Sequence, residues 1–373
     1  MKTIGLCMIV KDEAPRILRC LESVRPIVDF ALIFDTGSKD DTMKIVADWM
    51  LGNKIEGDVY EVPWRDFAKN RSEAIETMRE YEAVDYTLML DADDELEVMP
   101  GFKKELLDAD HYMIPISLGA IEYERPQLFS NKKPYRYRGV IHEFLEAPPD
   151  AIQKRLSKLR IKAGVSGARS EDVRKYLRDA MLIELAMVDE TDEMMRSRYA
   201  FYLAQSYRDA GMPQKSEEWY LKRTEMDGWE EEVFLSLIYA ARLQAARGEP
   251  FFQVLGLYKQ ASYLLPGRAV EADHAAVAFC RQRNRFLKGY AIAVKHMEPA
   301  VLKPPLGLFI ERWIYDYGIY DELSVCAYYA GDYSVSRDAC RRALSAELDQ
   351  TTLARVRENL RFAEERIAGK HVK

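Results

Sequence analysis

Cysteine is scarce in this chain and never closely paired. Cys7, Cys20, Cys280, Cys326 and Cys340 are scattered over 373 residues with no Cys-x-x-Cys spacing. That excludes a disulfide framework or a zinc ribbon and points to buried thiols in a reducing compartment. No run of 18 apolar residues occurs, so a membrane-spanning helix is not expected. The apolar stretch Ile4–Val10 breaks at Lys11-Asp12-Glu13, too short for a secretory signal core. A cytoplasmic protein is the expectation. A strong excess of one charge is missing too. The formal net charge of −7 argues against a broad nucleic-acid-binding face, although a local basic patch would not show in the total.

What is present describes a two-domain globular chain. Hydrophobic residues make up 48% and charged residues 31%, enough apolar material for a sizeable core at this length. The first hundred residues alternate between two periodicities. Ile4–Val10, Val28–Phe34, Val59–Val62 and Tyr86–Leu90 read as strands. Ala14–Val24, Thr42–Leu51 and Ala68–Tyr81 read as helices between them. Short links between alternating elements imply a parallel sheet with right-handed crossovers. Ligands of such sheets bind beyond the carboxyl ends of the strands. Val10, Lys11 and Glu13 fall there, and so do Asp35-Thr-Gly-Ser and Asp91-Ala-Asp.

The densest chemical signal is Tyr86-Thr-Leu-Met-Leu-Asp91-Ala-Asp93-Asp94-Glu95. An apolar strand runs directly into clustered carboxylates, which repel one another and lose solvation unless a cation sits among them. Asp91 and Asp93 are spaced to share one divalent ion, and oxygen ligands suit Mg2+ or Mn2+ on a substrate diphosphate. The alternative is a polar turn of solvated acids. Asn70 looks like a helix N-cap with Glu73 completing a capping box, which would place Arg71 at a helix start fit for phosphate or uracil. A plain surface arginine is the other reading. The run Lys132–Arg138 mixes cations and aromatics, either as an anion clamp or as an exposed strand face of alternating charge.

From His111 to Phe144 shorter strands and turns follow, then one more strand-like piece at Leu159–Ile161. Beyond Glu171 the pattern is helical. Two segments match. Each has a small residue (Ala204; Ser324) seven positions before a glycine (Gly211; Gly331), and an aromatic or cysteine (Tyr220; Cys340) nine after it. Weaker copies centre on Gly248 and Asn284. Such spacing suits helical hairpins and is similar to degenerate tetratricopeptide repeats, with a generic helical bundle as the alternative.

Five blocks in order, MIVKDEAPRILRCLESV, IFDTGSKDDT, WRDFAKNRSEAI, LMLDADDEL and YRGVIHEF, resemble family 2 glycosyltransferases of the GT-A fold over about residues 3–145. FYLAQSYRDAG, EWY with Arg223, and GWEEEVF resemble a repeat-containing C-terminal extension of a branch of that family. The expected architecture is therefore an α/β GT-A domain with a mixed sheet over residues 1–165. An all-α, tetratricopeptide-like domain over residues 166–373 would follow it.

The resemblance implies a nucleoside-diphosphate sugar donor, UDP by default, and Mn2+ or Mg2+. It assigns Asp35 to the nucleoside, with a turn or cap acid as the competing reading. Asp91 would meet ribose and approach the metal, and Asp93 would ligate it. His142 is a candidate third ligand. Glu143 is either the general base for an acceptor or the partner that orients His142. Related sequences carry a histidine in an Ile-x-His pattern after the last strand, where Ile161-Lys162-Ala163 has alanine. The acceptor stays open between peptide or protein, glycan and modified nucleobase, nucleic acid being disfavoured, and the helical domain offers a route to homo-oligomers. A non-catalytic interaction protein with a vestigial donor site is the main alternative. A nucleotidyltransferase ranks lower, because no Gly-rich, Lys/Arg-bearing loop follows the first strand.

Overall fold

The computed structural model describes residues 2–118, 121–164, 174–298, 302–305 and 307–369. It divides into two compact units, Met1–Ala186 and Met187–Lys373. The expected domain boundary at 165/166 lies outside the described residues.

The first unit is built on β1 (Ile4–Val10), in which all seven residues are buried. A strand buried on both faces needs a continuous apolar run, and Ile-Gly-Leu-Cys-Met-Ile-Val supplies it. Alternate side chains separate two cores. Leu6, Met8 and Val10 pack with Ile17, Leu21 and Val24 of α1 (Ile17–Val24) and with Val46 and Trp49 of α2 (Thr42–Asn53). Cys7 and Ile9 face the opposite way, onto Ala74, Ile75 and Met78 of α3 (Phe67–Arg79). Strands β2 (Phe30–Asp35), β3 (Glu56–Glu61) and β4 (Tyr86–Met89) complete the parallel part, in the order β3-β2-β1-β4.

The third strand begins earlier than its apolar residues suggest. Glu56, Gly57 and Asp58 pair with Phe30, Ala31 and Leu32 before the expected start at Val59. Gly57 has φ +143°, and a Cβ there would lie 1.8 Å from the Ala31 carbonyl oxygen. Only glycine fits that approach.

Past β4 the sheet turns mixed. β6 (His111–Leu118) and β7 (Ile121–Ser130) pair antiparallel with each other, and β7 also pairs antiparallel with β4. β11 (Leu159–Lys162) lies parallel to β6 and antiparallel to β5 (Glu95–Val98), while β10 (Gln153–Arg155) adds to β6. A separate ribbon is formed by β8 (Arg136–Arg138) and β9 (Phe144–Glu146). Tyr135 and Tyr137 point into the core beside α3. The cations of that run are occupied: Lys133 pairs with Asp110 and Asp150, and Arg136 and Arg138 pair with Glu146. The chain then enters α4 (Arg174–Asp189).

The second unit is a series of helix pairs: α5 (Glu193–Asp209) with α6 (Pro213–Thr224), α7 (Glu230–Arg247) with α8 (Phe251–Leu264), α9 (Ala269–Gln282) with α10 (Phe286–Ala293), and α11 (Ile319–Ala330) with α12 (Tyr333–Ala343), before α13 (Gln350–Ile367). Gly211, Gly248 and Gly331 take positive φ at the turns, as does Asn284. The two matched segments share one buried contact. Ser216 Oγ donates to the Ala204 carbonyl at 2.8 Å, and Ser336 Oγ donates to the Ser324 carbonyl at 2.8 Å. No helix among the described residues is long and apolar enough to cross a membrane.

Polar groups are buried in this unit as pairs. Arg223 meets Glu232 at 3.2 Å, Arg268 meets Glu271 at 2.7 Å, and His296 Nε2 meets Asp273 at 2.8 Å. His274 differs. Its ring stands edge-on to Trp313, and its Nδ1 has no hydrogen-bond partner among the described residues. Burial pushes its pKa down to about 4, with Glu311 and Asp321 opposing that shift and Arg242 and Arg281 adding to it. The folded unit thus excludes a proton that the unfolded chain takes up below pH ~6.5. Stability should be full above that pH and fall as pH drops toward 4, by up to roughly 3 kcal/mol. Urea unfolding between pH 4 and 7 should show this slope in the native protein. His274→Gln should remove it.

Candidate functional site

Three loops at the carboxyl ends of β1, β2 and β4 meet where the strand order passes from β1 to β4, the place where open α/β sheets bind ligands. The first two are laced together. Thr36 N–H donates to the Val10 carbonyl at 2.9 Å, Asp12 N–H to Ser38 Oγ at 2.9 Å, and Lys39 N–H to Asp12 Oδ1 at 2.7 Å. Glu13 N–H reaches Thr42 Oγ1 at 2.8 Å, and Ala14 N–H reaches Asp40 Oδ2 at 3.0 Å. Asp12 takes φ +54° to close this lattice. Val10 is buried and Lys11 exposed.

Asp35 is buried at the end of β2, and its carboxylate accepts the N–H groups of Gly37 at 3.2 Å and Ser38 at 3.0 Å. This is the turn-acid arrangement. Asp41 occupies the cap position of α2 without a side-chain cap bond.

The third helix corrects a local expectation. Its N-cap is Asp66, which accepts from Lys69 N–H at 2.7 Å, and not Asn70. Asn70 lies inside the helix, fully buried, and its amide holds the preceding loop: Nδ2 donates to the Pro63 carbonyl at 3.1 Å and Oδ1 accepts from Arg65 N–H at 2.9 Å. Asn-x-x-Glu satisfied the capping pattern, but tertiary contacts drew the asparagine inward.

Arg71 is consequently not a helix-start cation facing solvent. It is 6% exposed and bridges two acids: Nη2 meets Asp91 Oδ1 at 2.5 Å, and Nη1 meets Glu143 Oε1 at 2.7 Å. The Phe67 and Tyr137 rings lie 5.6 and 5.3 Å from its guanidinium carbon. Burial works against the charge, and the two carboxylates more than offset it, so the Arg71 pKa is raised. Ser72 ties the same helix to the Tyr137 backbone, with bonds of 2.8 and 3.2 Å.

The carboxylate turn is braced from below. Asp94 N–H donates to the Asp91 carbonyl at 3.1 Å, Cys20 Sγ reaches that same carbonyl at 3.4 Å, and Arg19 Nη2 donates to the Asp93 carbonyl at 3.3 Å. Asp94 is buried, and desolvation, then the charges of Asp91 and Asp93, push its carboxyl up to about 7. Burial also raises Glu13 above its ordinary value, against the pull of Arg16 and with added repulsion from Asp93 and Asp40. Surplus negative charge concentrated in one turn fits a divalent cation chemically. Two carboxylates, Asp91 and Asp93, are the protein ligands on offer. His142 is exposed on the turn before β9, with φ +53°. No group of three His, Cys, Asp or Glu side chains among the described residues is assembled for a metal, so Asp91, Asp93 and His142 are not gathered into one.

Gly164, which the sequence gave no reason to single out, closes the turn. Its N–H donates to Asp94 Oδ1 at 3.2 Å, and a Cβ on it would lie 2.4 Å from Asp93 Oδ2. Ala163, where a histidine was expected by resemblance, is its neighbour and packs on the core. The structure therefore brings Arg71, Asp91, Asp93, Asp94, Glu143 and Gly164 together.

Removing Arg71 would leave two acids without their cation. Arg71→Met should cost about 3 kcal/mol of stability, the low end for breaking a buried pair because Asp91 is half exposed. Arg71→Lys should recover only part, since an ammonium cannot match the fork that spans both carboxylates. Chemical denaturation of the two variants measures both effects.

Residues 6–172 match the family model described as glycosyl transferase family 2. A TPR repeat-containing protein of Synechococcus elongatus is 32% identical over 172 residues, covering 44% of this chain and 40% of its own length. An uncharacterized glycosyltransferase of Rickettsia felis is 35% identical over 137 residues, covering 35% of this chain and 45% of its own. The chain thus spans under half the length of these curated relatives. Among solved structures, TarS 1–349 of S. aureus in complex with UDP-GlcNAc aligns with a TM-score of 0.36 at 14% identity, over 76% of this chain and 92% of that one. BtubC (BKLC) from P. vanneervenii aligns with a TM-score of 0.39 at 15% identity, over 55% of this chain and 85% of that one. At those scores neither alignment bears on the site. The matched sequence blocks and the strand-end site agree with the family comparison: residues 6–172 match the glycosyl transferase family 2 model, and a unit of paired helices follows in the chain.

Proposed function

We propose that this protein transfers a sugar from a nucleoside-diphosphate sugar, UDP-linked by preference, to an acceptor nucleophile, with Mn2+ or Mg2+ at Asp91 and Asp93. The observation that carries this reading is the Arg71 bridge. It holds Asp91, read as a donor-side acid, and Glu143, the candidate base, on one buried guanidinium.

The chain's own groups divide the work. Asp35 offers the nucleoside a carboxylate already fixed by two N–H groups. Asp91 and Asp93 would hold the cation, with the diphosphate and water completing its coordination. When bound, that cation neutralises the charge that builds on the departing diphosphate. Arg71 fixes the rotamers of Asp91 and Glu143, and Glu143 is the group from which a proton acceptor for the nucleophile would come. Asp94, buried behind the turn, is a supporting acid bonded to Gly164. A peptide or protein acceptor suits a helical-repeat extension, because stacked hairpins build extended binding surfaces.

The vestigial alternative has one observation in its favour, alanine at position 163 beside the carboxylate turn. Hydrolysis of UDP-, GDP- and dTDP-sugars with Mn2+, Mg2+ or EDTA separates the two, since slow transfer to water needs no known acceptor. The transferase should cleave one donor only with metal, and Asp93→Ala should abolish that cleavage while the protein stays folded. Metal-independent cleavage, or an active Asp93→Ala variant, would overturn the proposed role of the turn. Gly164→Ala should push Asp93 out of place and weaken Mn2+ binding by about tenfold or more, the usual range for disturbing a group that supports a ligand. Titration with Mn2+ followed by electron paramagnetic resonance reads this without any turnover.

A further inference from the structure

Trp64 stands in the loop after β3, 40% exposed, and none of the roles above uses it. A large aromatic surface left in water forgoes the gain from burial, so its setting matters. That setting is rigid. Val62 N–H donates to the Asp35 carbonyl at 2.8 Å, which joins the loop to the nucleoside side of the site. Asn70, fully buried, grips the loop on both sides of the tryptophan through the Pro63 carbonyl and the Arg65 N–H. Asp66 caps the helix directly after it.

From the indole a chain of contacts leads to the carboxylate turn. Trp64 meets Phe67 nearly perpendicular, with centroids 4.8 Å apart. Arg71 lies over the Phe67 ring at 5.6 Å and pairs with Asp91 at 2.5 Å. An aromatic surface thus sits at one end of a line whose other end is the turn proposed to hold a diphosphate through its cation. Residues 11–16, 36–41 and 91–95, which form the other strand-end loops, contain no aromatic side chain. Of the loops that follow the parallel strands, the one after β3 therefore supplies the exposed indole.

We infer that the indole of Trp64 is the stacking platform for the donor's nucleobase. This rests on the donor-binding reading above. Stacking is tolerant of base identity because every base has a π face. Trp64 would therefore supply affinity for the nucleoside end, and Asp35 would choose among bases through its hydrogen bonds.

Titration calorimetry in Mn2+ of UDP and of inorganic pyrophosphate, on the intact protein and on Trp64→Ala and Trp64→Phe, tests the assignment. Trp64→Ala should weaken UDP binding by about tenfold, within the range measured for losing one base–aromatic stack, and Trp64→Phe should restore most of it. Pyrophosphate, which has no base, should bind all three proteins alike. UDP binding unchanged in Trp64→Ala would overturn the stacking role and leave the donor site standing. Pyrophosphate binding reduced in parallel would overturn it as well, by making Trp64 a brace for the whole site. A native protein that binds neither UDP nor another nucleoside diphosphate would overturn both readings together.

Discussion

A single buried guanidinium organises the first unit's site. Arg71 sits where water is largely excluded, and an isolated cation there would be strongly penalised. Two carboxylates from distant parts of the chain make it tolerable, and it in turn sets where they stand. Asp91 arrives at the end of a central strand, Glu143 in the turn of a separate ribbon, and Arg71 on a helix that packs beneath both. The ribbon is placed by Ser72 and by burial of Tyr137 against that helix. Position and charge are thus fixed by the same contact, the kind of preorganisation the proposed chemistry would use.

This bridge also limits what Arg71 can do. An arginine committed to two carboxylates is a poor candidate for gripping a phosphate, which would have to displace an acid from it. Under the proposed function, recognition of a donor would then fall on the groups around it: Asp35 for the nucleoside, and Asp91 and Asp93 with a cation for the diphosphate. Burial first, and then the charges of Asp91 and Asp93, raise Asp94, and the second of these is what such a cation would relieve.

Much of this was legible in the sequence where the signal is local. Alternating apolar periods marked the parallel strands, and their ends placed Asp35 and Asp91-Ala-Asp93 at one edge of a sheet. What failed was local logic applied to residues governed by distant ones. Asn70 and Glu73 fit a capping pattern, yet Asp66 caps the helix because the buried amide of Asn70 is needed by the loop it follows. Arg71 reads as a helix-start cation for phosphate or uracil, or as a surface arginine, until its partners, 20 and 72 positions away, are known. Gly164 carries no pattern at all. Its requirement comes from Asp93 on another strand's end, and no periodicity reports such a neighbour.

The helical unit shows the converse, a long-range contact that a local pattern did encode. The spacing that matched Ala204 to Ser324 and Gly211 to Gly331 also aligns Ser216 with Ser336, and each serine donates to the helix carbonyl at the matching position. A hydroxyl at that point does two things. It is small enough for the helices to close together, and it satisfies itself on an oxygen that keeps a second lone pair. A larger apolar residue would hold the pair apart, and alanine would allow the approach without the bond that fixes its register. The repeat is therefore conserved within this chain as a geometry of helix contact, even where the surrounding sequence has drifted to tyrosine in one copy and cysteine in the other. In these two pairs the contact that fixes the helix register is the same, while the buried position nine residues after the glycine is filled by tyrosine in one and cysteine in the other.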